Sequence, residues 1–122
     1  MDIVNTRVHV ANLNNMIRFY TQTFGAKLQD QTDLTALIQI DEDFIEFIEV
    51  DEPKTHTVGI QFTQSEAYDE CVTQSRQYVS VDSTVDKSGA QNIYRARCTD
   101  AEGNHVVLYH YQMFIPTSVD SD

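Results

Sequence analysis

Three side chains with acid–base chemistry, Arg7, His9 and Glu46, stand at alternating positions within apolar stretches. In "RVHV" they alternate with Val8 and Val10, so that in an extended chain Arg7 and His9 leave the backbone on the same side. A carboxylate or an imidazole can act as a general base on a carbon acid, and a guanidinium can stabilise the enolate that forms. The same groups can instead serve as polar residues in the wall of a binding pocket.

Each of these residues also has a purely structural interpretation. Glu46 can form an ion pair with Arg7, and we favour a position in a pocket wall for His9 over a role as catalytic base. His105 follows a Gly-Asn turn and can be exposed at a rim, while Tyr109 can pack with its hydroxyl in water. No catalytic residue is therefore assigned, and Glu46 and His9 remain the candidates.

The elements that would position these residues follow from hydrophobic periodicity. Residues 3–10 alternate as in a strand, and Asn12 is the expected N-cap of an amphipathic helix that ends at Gly25. Strands are expected next at residues 27–32, 34–40 and 44–50, with a turn at residues 41–43.

The same order of elements recurs in the second half of the chain. A strand over residues 57–62 precedes a capping box at residues 63–66 and a helix that ends near Arg76. Strands are then expected at residues 78–85, 93–98 and 105–111, with turns at residues 86–92 and 100–104. The chain therefore predicts two βαβββ modules and a tail, namely residues 1–52, residues 53–112 and a flexible acidic segment over residues 113–122.

Alternation along the predicted strands separates two faces. One face is apolar, as burial beneath helices requires. The other mixes polar and apolar residues and includes Gly59, which would leave space for a ligand or mark a bulge. A packed core does not tolerate so many polar groups, because each unpaired one costs about 1–3 kcal/mol, whereas a water-accessible cup does. The predicted ligand-binding residues are Asn5, Arg7, His9, Glu46, Thr57, Gln61, His105 and Tyr109.

Composition limits the partners. The net charge of −11 repels phosphate backbones, so we expect no nucleic-acid partner; it would attract a cationic small molecule or simply keep the protein in solution. No apolar run suits a membrane and no secretion signal is visible, so a cytoplasmic protein without a membrane partner is expected. Cys71 and Cys98 lack metal-binding spacing and are expected to be free, buried thiols.

Two segments, "VANLNNMIRFYTQTFGAKL" and "DAEGNHVVLYHY", resemble signatures of the vicinal oxygen chelate superfamily. That superfamily includes glyoxalase I, bleomycin-resistance proteins, fosfomycin-resistance enzymes and extradiol dioxygenases. The resemblance covers about residues 3–111. It implies an α+β fold in which two βαβββ modules form a cupped eight-stranded mixed sheet, with the helices on the outer face. It also implies a homodimer.

The resemblance further implies where a metal would bind. The corresponding positions are Asn5, Glu46, Thr57 and Val107. Only Glu46 is a carboxylate, and His56, one residue from a ligand position, is expected to face the other way. We therefore predict no cofactor, with a shifted divalent-metal site at His9 and His105 as the less favoured alternative. The favoured function is metal-free binding and sequestration of a small molecule, for which the acidic composition favours a cation; a lyase, isomerase or oxygenase is the alternative.

Overall fold

The structure, a computed structural model, describes residues 6–113. In this part of the chain the element order is βαβββ followed by βαβββ. The first module consists of β1 (Thr6–Val10), α1 (Leu13–Phe24), β2 (Lys27–Gln31), β3 (Thr35–Ile40) and β4 (Asp43–Glu49). The second consists of β5 (Thr57–Gln61), α2 (Ser65–Ser75), β6 (Asp82–Ser88), β7 (Gln91–Thr99) and β8 (His105–Met113). The predicted α+β class and its two βαβββ modules are confirmed.

Each module forms its own four-stranded mixed sheet. The strand orders are β1-β4-β3-β2 and β5-β8-β7-β6, so the described strands form two hydrogen-bonded ladders. The parallel pairs β1–β4 and β5–β8 place Arg7 opposite Glu46 and Thr57 opposite His105. The two ladders approach each other between β1 and the residue before β5, where the backbone N–H of His9 reaches the ring of His56.

Helix α1 begins and ends as its sequence predicts. The Asn12 side-chain oxygen accepts a hydrogen bond from the Asn15 N–H at 3.0 Å, which satisfies one of the free donors of the first turn. Gly25 follows the helix with a φ of 71°, a left-handed conformation that glycine adopts without steric cost.

A single apolar cluster lies between the helices and the covered faces of both sheets. The predicted alternation is confirmed, because the covered strand positions are buried: Val8, Val10, Ile45, Phe47, Val58, Ile60, Phe62, Val106 and Leu108. Cys71 and Cys98 are free and buried, as expected. Burial raises the pKa of both thiols to about 11, so neither is a ready nucleophile at neutral pH.

The strand expected at residues 78–85 lies further along the chain, at Asp82–Ser88. Tyr78 and Val79 instead donate their backbone N–H groups to the Ser75 carbonyl, which extends the end of α2 as a turn. The β6 strand is exposed along its whole length, so it shows no alternation that a sequence pattern could detect. The long turn expected at residues 86–92 narrows to Gly89 and Ala90 between paired strands.

The capping box predicted at residues 63–66 is wrong. The N-cap of α2 is Gln64, whose side chain makes no capping hydrogen bond. The Thr63 hydroxyl is used elsewhere, since it donates to Glu42 Oε2 of the first module at 3.2 Å. The turn at residues 100–104 is confirmed, whereas the turn expected at residues 41–43 overlaps β4 by one residue, because Asp43 pairs with Ile40.

The predicted ends of the fold fall largely outside the described residues. This applies to residues 3–5 of the first predicted strand and to residues 114–122 of the predicted tail. Met113, assigned to that tail, belongs to β8 because it pairs with Gln91 of β7. Of the helices within residues 6–113, none has the length and apolar character that crossing a membrane requires.

Candidate functional site

The sheet faces that the helices leave uncovered carry the predicted ligand-binding residues. On these faces Arg7, His9, Thr57, Gln61 and His105 are exposed, and Glu46 and Tyr109 are half-buried. Asn5 lies outside the described residues. Half-buried apolar side chains share the faces: Phe44, Ile48 and Val107. Apolar surface with a few placed polar groups is the usual composition of a small-molecule site.

Arg7 and Glu46 form an ion pair on the first module. Arg7 Nε donates to Glu46 Oε1 at 3.0 Å, between neighbouring strands β1 and β4. The two side chains remain 52% and 28% exposed, so the pair contributes at most about 1 kcal/mol to stability. The ion pair expected between Glu46 and Arg7 is therefore confirmed, and it involves the carboxylate that is a candidate base.

His9 lies at the junction of the two sheets, against His56. The His9 backbone N–H donates to His56 Nε2 at 3.4 Å, and the two rings meet edge to face with centroids 5.8 Å apart. The sequence placed His56 on the opposite face, but it lies just before β5, where strand alternation does not yet apply. Its ring instead supplies an acceptor to the edge of β1, whose N–H groups would otherwise lack one.

Tyr109 and Tyr111 form an aromatic surface on the uncovered face of the second module. Their rings meet edge to face with centroids 5.5 Å apart. Tyr109 also covers Gly59, where a Cβ would lie 3.5 Å from Tyr109 Cε1. The space beside Gly59 is therefore partly filled by the tyrosine ring, with which a Cβ would make an ordinary van der Waals contact.

Asp43, from the first module, brings a carboxylate near this aromatic surface. Its Oδ2 accepts the Gln61 backbone N–H at 2.8 Å across the junction. Burial raises the pKa of Asp43; the Gln61 hydrogen bond opposes the rise, and the charges of Asp41 and Glu42 add to it. Burial likewise raises the pKa of Tyr109, with further contributions from Tyr111 and from the Asp43 charge.

Asp43 therefore brings a carboxylate close to Tyr109, whose ring in turn contacts that of Tyr111. Within residues 6–113 no Lys or Arg forms an ion pair with it. Arg95, which lies opposite Tyr109 on β7, is paired with Asp86. The sequence pattern assigns Asp43 only to a turn, and the predicted site lacks Tyr111, although Tyr111 stands two residues from Tyr109 and so shares its face.

The positions at which the superfamily would bind a metal do not offer a suitable donor set. Val107 has no donor atom, Thr57 offers only a hydroxyl, and Glu46 is hydrogen-bonded to Arg7. A divalent ion in such a site needs several carboxylate or imidazole ligands. Across the described part of the chain, no group of three or more His, Cys, Asp or Glu side chains is arranged to hold an ion, at His9 and His105 or elsewhere.

Comparison with solved structures shows the same fold in several proteins. A glyoxalase/bleomycin resistance protein/dioxygenase from Alicyclobacillus acidocaldarius superposes with a TM-score of 0.71 at 16% identity, covering 88% of this chain and 90% of that one. Lactoylglutathione lyase from Agrobacterium tumefaciens superposes with a TM-score of 0.67 at 13% identity, covering 89% of this chain and 92% of that one. TioX from Micromonospora sp. ML1 superposes with a TM-score of 0.67 at 12% identity, covering 94% of this chain and 99% of that one.

At these identities the likeness shows the fold and not the activity. No curated protein matches the chain. The family is shown by sequence, because the model described as Glyoxalase/Bleomycin resistance protein/Dioxygenase superfamily matches residues 2–108. The chain thus belongs to the glyoxalase/bleomycin resistance protein/dioxygenase superfamily.

Proposed function

We propose that this protein binds a small organic cation on the uncovered faces of its sheets, at the junction between the modules. The observation that carries the proposal is the arrangement of Tyr109, Tyr111 and Asp43. Aromatic faces attract cations by about 0.5–2 kcal/mol, and a nearby carboxylate adds a Coulombic attraction. The net charge of −11 acts in the same direction over longer distances.

The cation would remove an unfavourable feature of the free protein. Asp43 is partly desolvated and lies beside Asp41 and Glu42, which is why the pKa of Asp43 is raised. A bound cation would supply the opposite charge that the described residues do not. Binding energy would therefore come partly from relief of repulsion within the acidic turn at residues 41–43.

The proposal includes binding without a divalent metal. The donor set described above supports this, since Glu46 is engaged by Arg7. Elemental analysis of the purified protein tests it, and we expect Zn, Ni, Mn and Fe far below one equivalent. A stoichiometric metal that is lost together with ligand binding would contradict this part of the proposal.

A homodimer also belongs to the proposal. Phe44, Ile48 and Val107 remain half-buried on the uncovered faces, and a second copy facing them would remove apolar surface from water. The mass in solution, measured by sedimentation equilibrium, is expected to be twice that of the 14.0 kDa chain. A monomer at all concentrations would contradict it.

Ligand binding is tested by calorimetric titration and thermal shift with a matched set of compounds. The set contains cationic glycopeptides, small quaternary amines, their neutral analogues and small oxo-acids. Only the cations are expected to bind, and at 100 times the dissociation constant a ligand adds about 2.7 kcal/mol to stability. Tyr109→Ala should weaken binding at least tenfold, because it removes one ring of the aromatic surface.

Two further variants separate this proposal from its competitors. Tyr78→Ala removes another exposed tyrosine, beyond the end of α2, and should leave affinity unchanged. Glu46→Gln should also leave it unchanged. If the protein turns over a compound, and Glu46→Gln abolishes that turnover without weakening binding, the protein is instead a metal-free enzyme with Glu46 as its base.

A further inference from the structure

A second cleft lies on the opposite, helix-covered side of the protein, beside the first turns of α2. Its volume is about 240 Å³, and its lining residues are Ser65, Tyr68, Asp69, Tyr94, His110 and Gln112. Pockets for drug-sized ligands are about 300–1,000 Å³, so this cleft suits a smaller molecule. None of its residues belongs to the uncovered faces proposed above to bind the ligand.

His110 presents one ring nitrogen to this cleft. The residue is only 7% exposed, and its Nδ1 lies 2.9 Å from the Phe62 carbonyl oxygen. Because a carbonyl only accepts, Nδ1 carries the hydrogen, and in the neutral ring Nε2 is then an acceptor. Among the described residues Nε2 has no hydrogen-bond partner, and every fully buried polar side-chain atom there has one. Nε2 is therefore not fully buried, and since His110 lines the cleft it is the ring nitrogen available there.

The aromatic walls of the cleft are held in place. Tyr94 stacks on His110 with centroids 6.2 Å apart, and Tyr68 lies 6.3 Å from both rings. The Tyr94 hydroxyl donates to Gln112 Oε1 at 2.8 Å and lies 3.4 Å from Asn92 Nδ2. The half-buried Tyr94 ring and the exposed margins of Tyr68 and His110 are therefore fixed in the wall of the cleft, and such preorganised aromatic groups attract cations.

Charge favours the same class of ligand. Asp69 lines the cleft, and no Lys or Arg does. Burial raises the pKa of Tyr68, and the Asp69 charge adds to this, as expected of a carboxylate close to the phenol. Arg76, which partly opposes that rise, donates to Ser83 Oγ at 2.8 Å outside the cleft. The start of α2 would attract an anion, but Glu66 in its first turn offsets that partial charge.

We propose that this cleft is a second binding site, which takes a small protonated primary amine. The ammonium group lies against the Tyr68 and Tyr94 rings, donates one hydrogen bond to His110 Nε2 and pairs with the Asp69 carboxylate. The requirement for an N–H donor distinguishes this site from the junction site, where a quaternary ammonium without N–H groups suffices.

The test is an NMR titration of the full chain with propylammonium, using 1-propanol and propionate as neutral and anionic analogues and tetramethylammonium as a cation without N–H. We expect propylammonium to shift the ring signals of Tyr68, Tyr94 and His110 saturably, while the other three compounds do so at least tenfold more weakly. Equal or tighter binding of propionate or 1-propanol would overturn the proposal.

Three variants locate the site. His110→Phe keeps an aromatic ring but removes the Nε2 acceptor, and it should lower the affinity for propylammonium at least tenfold. Asp69 is exposed, so Asp69→Asn will not disturb folding; this variant should lower the affinity for propylammonium about threefold or more. Tyr109→Ala, at the junction, should leave propylammonium affinity at this cleft unchanged. Unchanged affinity in Asp69→Asn, or its loss in Tyr109→Ala, would refute a separate amine site whatever the outcome at the junction.

Discussion

The two modules hold each other through equivalent turns, and the two turns differ in how they do so. In each module the turn before the last strand reaches across the junction and supplies carboxylate acceptors to the other module. The turn at residues 41–43 binds the N–H groups of Gln61 and Thr63. The turn at residues 100–104 binds those of Ala11 and Asn12, through Glu102.

The second turn is anchored in the core, whereas the first is not. Asp100 is 6% exposed and accepts the buried Tyr20 hydroxyl at 2.7 Å, together with the side chain and backbone of Asn104. Burial raises the pKa of Tyr20 well above its usual range, with Asp100 adding to it, so this phenol remains a donor. Among the described residues no such anchor holds Asp43, whose carboxylate is partly solvated. The turn at residues 100–104 is therefore tied to the core, whereas the turn at residues 41–43 keeps a partly solvated carboxylate at the junction.

Replacing the buried carboxylate should have the largest effect. Asp100→Ala leaves the Tyr20 hydroxyl and the Asn104 amide without their acceptor, at about 1–3 kcal/mol for each buried group, or about 4 kcal/mol in all. Urea unfolding would measure this. Asp41→Ala, at the equivalent turn, is the matched control and should cost about 1 kcal/mol. If the two variants lose similar amounts of unfolding free energy, the two turns do not differ in how firmly they are anchored.

Glu102 should contribute less to the free energy of unfolding than Asp100 and more than Asp41. Its two oxygens accept the Ala11 and Asn12 N–H groups at 2.8–3.0 Å, at the positive end of α1. Glu102→Ala should cost about 2 kcal/mol by loss of charge-assisted hydrogen bonds. Glu102→Gln keeps an acceptor and should cost about 1 kcal/mol, with a weaker dependence on salt. Equal losses in both variants would show that the charge contributes nothing.

Much of the fold could be predicted from local patterns. Alternation separated the covered from the uncovered faces, and Asn12 and Gly25 marked the ends of α1, because these signals lie within a few residues of the structure they specify. Strand β6 was displaced because its residues are exposed on both faces. The α2 cap was wrong because the Thr63 hydroxyl found a partner 21 residues away, which no local pattern records.

The candidate site was predictable only in part, for the same reason. Alternation placed Arg7, Glu46 and Tyr109 on the uncovered faces, and strand pairing then joined Arg7 to Glu46. The contacts that shape the junction join residues distant in sequence: His9 with His56, and Asp43 with Gln61. Those contacts depend on how the two modules pack together, and a strand pattern within one module contains no information about that packing.

The smallest predicted effect tests whether the acidic turn is under electrostatic strain. Because the pKa of Asp43 is raised above 3.8 in the folded state, the native protein binds this proton more tightly than the unfolded chain does. Its stability should therefore fall as the pH rises from 3.8 through the folded value. Asp43→Asn retains an acceptor for Gln61 and removes that loss, so its stability relative to the unsubstituted protein should be greater at pH 7 than at pH 4.

The difference should stay below about 1 kcal/mol, because the carboxylate is partly solvated. In 1 M salt, where the Debye length is about 3 Å, the contribution of Asp41 and Glu42 should disappear and leave that of burial. A saturating cation at the junction should shrink the difference as well, because it supplies the missing opposite charge. If a bound cation leaves this stability difference between Asp43→Asn and the unsubstituted protein unchanged, the cation binds away from Asp43. The acidic turn would then be a structural element like its counterpart at residues 100–104.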